Sequence, residues 1–137
     1  MTSKLLEAIK LSEGYRAKVY KCTEGYDTIG YGFAVKDLIM DEDIAEIILK
    51  RKLDKLIDKA NNKFNFLKEM PHEIQDVIYE MCYQMGVIGV SKFKKTLAYL
   101  ENEEFKKASI EMLDSRWAKQ TPNRARKLSY IVKNVSK

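Results

Sequence analysis

Three side chains near the N-terminus have types and spacing that could do chemistry together. They are the carboxyl of Glu13, the thiol of Cys22 and the hydroxyl of Thr28, with eight residues between the first two and five between the last two. Glu13 closes an amphipathic segment just before Gly14. At the C-terminal end of a helix the dipole disfavours negative charge. An unpaired carboxyl there is pushed toward a raised pKa, which is what a proton donor at neutral pH needs. A glutamate at a helix end also serves as an ordinary solvated side chain. Cys22 lies 60 residues from Cys82 and the pair matches no zinc spacing. In a reducing compartment both are free thiols. Cys82 falls on a core stripe and reads as packing. The lone histidine, His72, follows Met70 and Pro71 and reads as a surface or first-turn residue. A nucleophilic Cys22–His72 dyad is conceivable chemistry, but no spacing supports it. Trp117, beside Arg116, reads as core or as a ligand platform, and residue types favour core.

These groups need elements to hold them. Ser3–Ser12 reads as a helix with Leu5, Leu6, Ile9 and Leu11 to one side, and Gly14 is a natural left-handed stop. "YRAKVYK" and "YDTIGYGF" read as two short strands. For Cys22 and Thr28 to face one side as direct cross-strand partners, the loop must be odd. A three-residue "EGY" loop with Gly25 left-handed fits. From Asp41 the pattern is helical. "MDEDIAEIILKRKLDKLIDKA" opens on acidic capping residues and is apolar on two sides in its first half, on one side in its second. This suits a helix buried early, exposed later, and bridging two lobes. Pro71 suits the first turn of a helix whose stripe is Ile74, Val77, Ile78, Met81, Cys82 and Met85. "SKFKKTLAYL" and "EEFKKASIEML" read as two more. Thr121 as N-cap and Pro122 as first residue open the last. The expectation is one small sheet followed by about six helices.

The 137 residues, 45% of them apolar, suffice for a core. Two prolines and six glycines argue against low complexity. No run of ~18 apolar residues suggests a membrane span. Glu7 and Lys10 interrupt any secretory signal, so synthesis and folding in a cytoplasm are expected, with another route outward. Charge is lopsided: residues 1–90 carry 13 basic and 15 acidic side chains, and residues 91–137 carry 12 and 5. A basic C-terminal part suits a polyanionic partner, whether nucleic acid, anionic membrane or cell wall, and equally a solvated surface.

At Glu13, eight residues, Cys22, five residues and Thr28, the chain resembles the phage-type lysozymes, or endolysins, of glycoside hydrolase family 24. "KCTEGYDTIGYG" is similar to that family's hairpin, and "YQMGVIGVSKF" (83–93) and "SRWAKQTPNRAR" (115–126) follow in the family's order. The resemblance implies a mainly helical α+β, lysozyme-like fold in a single domain over 1–137. It implies a small lobe with the hairpin (about 13–45), a linking helix (about 41–60), and a helical lobe (about 61–137) joined by the N-terminal helix, with a cleft between lobes. It implies hydrolysis of the β-1,4 bond between N-acetylmuramic acid and N-acetylglucosamine in peptidoglycan, without cofactor or metal. In that scheme Glu13 is the general acid and Cys22 and Thr28 flank and position the attacking water. Arg124 reaches across the cleft to the acid, and the side chains of Tyr83, Gln84 and Thr96 with the backbone near Ala34 contact the glycan. The implied partners are peptidoglycan strands and the anionic wall, with no nucleic acid, for a monomer made in a host bacterial cytoplasm and released through a holin. The chain departs from the family in three places. It is shorter between Phe33 and Asp41. Phe33 stands where a histidine is common, so an ion pair there is lost. Cys22 stands where the best-known members have Asp.

Glycoside hydrolysis commonly uses two carboxyl groups. With cysteine in place of the second, three roles are open: a thiol that positions water, a thiolate base, or a nucleophile forming a thioglycoside. Thr28 on the attacking face leaves room for water, which suits inversion. Two rival classes remain. One is a non-catalytic wall-binding module of the same fold, against which the presence of Glu13, Thr28 and Arg124 argues. The other is a basic helical nucleic-acid binder, against which the lack of interleaved stacking aromatics argues.

Overall fold

The computed structural model describes residues 2–136. It has one small three-stranded antiparallel sheet near the N-terminus and a helical remainder, the α+β class expected. The chain divides into two compact units at Ala45/Glu46.

The first unit starts with helix α1 (Ser3–Glu13). The Thr2 hydroxyl accepts from Leu5 N–H at its start, and Gly14 N–H reaches Lys10 O at its end. Gly14 has φ 71° and ψ 151°. It stops the helix in a region open to glycine alone, rather than in the left-handed helical well. The sheet follows as β1 (Arg16–Lys21), β2 (Asp27–Gly30) and β3 (Phe33–Ala34), in that spatial order. The expected second strand is two strands. "YDTIGYGF" breaks at Gly30 and Gly32, both at positive φ, and turns back so that Ile29 pairs with Phe33 and Thr28 with Ala34.

The β1–β2 register also differs from expectation. Thr28 pairs with Tyr20, not with Cys22. Cys22 meets Tyr26, whose carbonyl accepts its N–H at 2.9 Å, and Gly25 N–H closes the turn onto Cys22 O at 2.9 Å. The loop is therefore Thr23–Glu24–Gly25. A three-residue hairpin loop favours a turn followed by a left-handed residue. Gly25, at φ 85°, takes that third place and draws the loop one residue toward the N-terminus. The face survives the slip. Tyr20 and Cys22 are two apart, so Cys22 and Thr28 remain diagonal neighbours on one side of the sheet.

Helix α2 (Glu42–Lys63) crosses the division. Its burial reverses the expectation. Ile44, Ile47, Ile48 and Leu49 are exposed, and Ala60 is its one buried residue. The early isoleucines do not join the core, whereas Leu56 and Ala60 do. Helix α3 (His72–Ser91) carries Ile74, Val77, Ile78, Met81 and Cys82 into that core, with Pro71 before it as N-cap. Gly86, at φ 82° and ψ 158°, breaks α3 and lets it resume. Helices α4 (Lys94–Glu101), α5 (Phe105–Leu113), α6 (Arg116–Gln120) and α7 (Pro122–Lys133) complete the unit. The six helices after the sheet agree with the expected number, although no pattern was read for α6. Thr121 precedes Pro122 as expected, but its hydroxyl donates back to Trp117 O at 3.0 Å and makes no cap bond to α7.

Candidate functional site

The chemistry-bearing residues of the first unit gather around its two glycine turns. Glu13 is the last residue of α1 and exposed. Its carboxylate lies over Gly32, so closely that a Cβ built at Gly32 would collide with Glu13 Oε2. Gly32 also sits at φ 73°, where an L side chain is strained. The backbone thus demands glycine in the β2–β3 turn, and a larger residue there would also push the Glu13 carboxylate from its place. The same turn is tied to α1 by Lys10, whose Nζ lies 5.7 Å from the Tyr31 ring centre, and to the segment after α1 by Tyr15, whose ring sits tilted at 5.6 Å from that of Tyr31. Gly32 was not among the residues singled out from the sequence. The signal was present as a glycine on either side of Tyr31, immediately after a short β-forming run.

Cys22 is half-buried and free. Its thiol is held below the ordinary value, first by hydrogen bonding from the Tyr26 and Glu24 backbone N–H groups that face the sulfur across the turn, against a smaller opposing effect of burial. The Thr28 side chain adds to the lowering, which brings the thiol and hydroxyl together as the shared face implies. Thr28 is buried, and its hydroxyl donates to Tyr26 O at 3.0 Å. Ala34 is the cross-strand partner of Thr28, so the backbone singled out near Ala34 borders the same pair.

The residues singled out in the second unit form two groups. Gln84 and Thr96 line one groove of about 740 Å³, together with Phe93, Lys95 and Trp117. Trp117 is buried in the core, as its residue type suggested, yet its indole N–H donates to Gln84 Oε1 at 2.9 Å and orients that amide. Phe93 packs edge-on to it at 6.0 Å. Tyr83, next to Gln84 on α3, is exposed and outside that lining. Arg124 has a partner that was not legible in the sequence. Its Nε donates to Glu80 Oε2 at 2.9 Å, with both side chains half-buried. Glu80 lies four residues before Gln84 on α3, a helical spacing that would have placed it on the same face. Among the described residues no three His, Cys, Asp or Glu side chains are grouped to hold a metal ion.

Comparison with known proteins gives one family and several relatives. The family model described as phage lysozyme matches residues 10–133. "Probable T4-type lysozyme 2" of Dictyostelium discoideum is 31% identical, over 93% of this chain and 92% of its own length. "Probable T4-type lysozyme 1" of the same organism is 27% identical, over 96% and 95%. The pre-baseplate central spike protein Gp5 of Enterobacteria phage T4 is 31% identical over 93% of this chain, which matches 27% of that longer protein.

Proposed function

Because this chain belongs to the phage lysozyme family, and is thus a glycoside hydrolase acting on the bacterial cell wall, we propose that Glu13 is its general acid. In this reading the bond cut is the β-1,4 link between N-acetylmuramic acid and N-acetylglucosamine in peptidoglycan, and Cys22 and Thr28 position the water that replaces it. The observation that carries the reading is the seat of Glu13, on the last turn of α1 with its carboxylate over Gly32. The Cys22–Thr28 pair lies in the same unit.

The Glu13 carboxyl gives its proton to the glycosidic oxygen, and the C–O bond breaks with its electrons going to that oxygen. A water oxygen held by Cys22 and Thr28 bonds to the anomeric carbon, and its surplus proton passes to the sulfur or to solvent. Glu13 is reprotonated from solvent. The transition state resembles an oxocarbenium ion, so a weakly activated water suffices, and attack opposite the leaving group gives inversion. Because its pKa is held below the ordinary value, more of the sulfur is thiolate as pH rises, and it is the thiolate that takes up the water's proton and later returns it to solvent. Gln84 and Thr96, in the groove beside Trp117, and the neighbouring Tyr83 bind the glycan. Arg124, anchored by Glu80, supplies a fixed positive charge.

The test is digestion of purified peptidoglycan with analysis of fragments for new muramic-acid reducing ends. Glu13→Gln should slow their release by about 10²–10⁴-fold with the fold intact. A variant keeping more than a tenth of the rate would remove Glu13 from the reaction.

A further inference from the structure

A second groove, of about 730 Å³, lies wholly within the helical unit and shares no residue with the one that holds Gln84 and Trp117. One wall is the later half of α2, which presents Lys52, Lys55, Lys59 and Lys63. Spacings of three and four keep these on one helix face, spread over about 16 Å at a rise of 1.5 Å per residue. Between them the floor is apolar: Leu56 from α2 and Cys82, Val87 and Ile88 from α3. Ile88 is 66% exposed at the rim. The Cys82 thiol, pushed up to about 11 by burial, keeps the floor uncharged.

Two features set this groove apart. Like charges three and four apart destabilise a helix by a few tenths of a kcal/mol per pair. Yet among the described residues none of the four lysines has a carboxylate within ion-pair distance. And the groove lining contains neither an acidic nor an aromatic side chain, whereas the Gln84 groove has Phe93, Trp117, Glu111 and Asp114. A face that stacks nucleobases needs aromatics, and one that binds only phosphates has no use for an apolar floor. A row of lysines above aliphatic side chains matches an anionic lipid headgroup over its acyl chain, because the lysine stems lie on apolar surface while the ammonium groups reach phosphate.

We propose that the Lys52–Lys63 face of α2 and the adjoining groove dock the enzyme on an anionic phospholipid bilayer, the lysines on headgroup phosphates and Ile88 inserted among the upper acyl chains. The docking is independent of the glycosidase chemistry and holds the enzyme on a membrane surface.

The full chain is sedimented with vesicles of phosphatidylglycerol and phosphatidylcholine, and with phosphatidylcholine alone. Binding is expected only to the former. Lys55→Gln with Lys59→Gln should weaken it about 30-fold, and Lys55→Arg with Lys59→Arg should preserve it. Ile88→Gln, which changes no charge, should weaken it roughly tenfold. Cleavage of purified peptidoglycan by each variant should equal wild type, which separates this result from a failure of the assigned chemistry. Unchanged vesicle binding in the double glutamine variant overturns the proposal. So does an Ile88→Gln variant that binds as wild type, or displacement of the vesicles by soluble poly(glycerol phosphate) or duplex DNA at equal phosphate, since each assigns the lysines to a water-soluble polyanion.

Discussion

The two units are held together by different physics. Among the described residues up to Ala45, Thr28 alone is buried. Leu5, Leu6, Ile9 and Leu11 of α1 are between 44% and 88% exposed. What shapes this unit is backbone: two three-residue turns ending on left-handed glycines, a bulged ladder between Arg16 and Tyr20, and a helix stopped by Gly14. The helical unit instead has a contiguous core running from Ala60 to Val132, including fully buried Leu67, Ile74 and Leu100, with α5 and α7 packed on one another. The difference teaches where each unit is vulnerable. The first is broken by a change of backbone conformation, and the second by a cavity.

The largest effect should come from the core. Leu100→Ala removes a fully buried side chain and should cost about 2–5 kcal/mol of stability, read from the urea midpoint, with the initial rate per folded molecule unchanged. A loss below 1 kcal/mol would mean the helical unit collapses around cavities and the contrast is overstated. Next is Gly32→Ala, which adds both a left-handed residue and a clash with Glu13. Misplacement of a reacting group by about 1 Å costs roughly 10²-fold, so peptidoglycan cleavage should drop by that order while the midpoint of the helical unit holds. A wild-type rate would show that the Glu13 seat plays no part.

The two cysteines sharpen the comparison further. Iodoacetamide near pH 7.5 should modify Cys22, whose thiol is lowered by turn N–H groups, and spare Cys82, which is buried with its pKa at about 11. Modification should inhibit cleavage, and Cys22→Ser should resist it. Cys22→Asp should stay active, Cys22→Ser should keep part of the rate, and Cys22→Ala should fall furthest, by about 10²-fold. Serine as poor as alanine would make the thiolate obligatory. A further contrast is the pH dependence from Cys82. Its folded-state pKa is raised, so the stability it contributes is present below the unfolded thiol's value of ~8.5 and is lost as pH climbs through about 11. The fall in urea midpoint between pH 8 and pH 10.5 should be smaller in Cys82→Ala than in wild type, and an equal fall would assign it to other groups.

Much of the helical unit was legible because a stripe such as Ile74, Val77, Ile78, Met81 and Cys82 records burial directly in its spacing. Helix ends were legible where chemistry is local, as at Gly14 and Pro122. The structure departs from the pattern where two local solutions compete. Glu24–Gly25–Tyr26 and Thr23–Glu24–Gly25 are both three-residue loops, and the need for glycine in the last place chose the second. The early isoleucines of α2 looked like core because apolar content shows what a side chain prefers, not whether a partner exists. The family was legible too, from Glu13, Cys22 and Thr28 together with two later segments, since such spacing rarely arises piecemeal.

By itself, then, the sequence determined the class, the order of elements, the apolar stripes and the common face of Cys22 and Thr28, all of which follow from periods of 2 and 3.6 along one chain. Only the tertiary structure decided that Glu13 rests on Gly32, that Arg124 pairs with Glu80, that Trp117 orients Gln84, and that four lysines border an apolar groove. Each joins residues from separate elements, and a periodicity says which face a residue is on without saying what that face will meet.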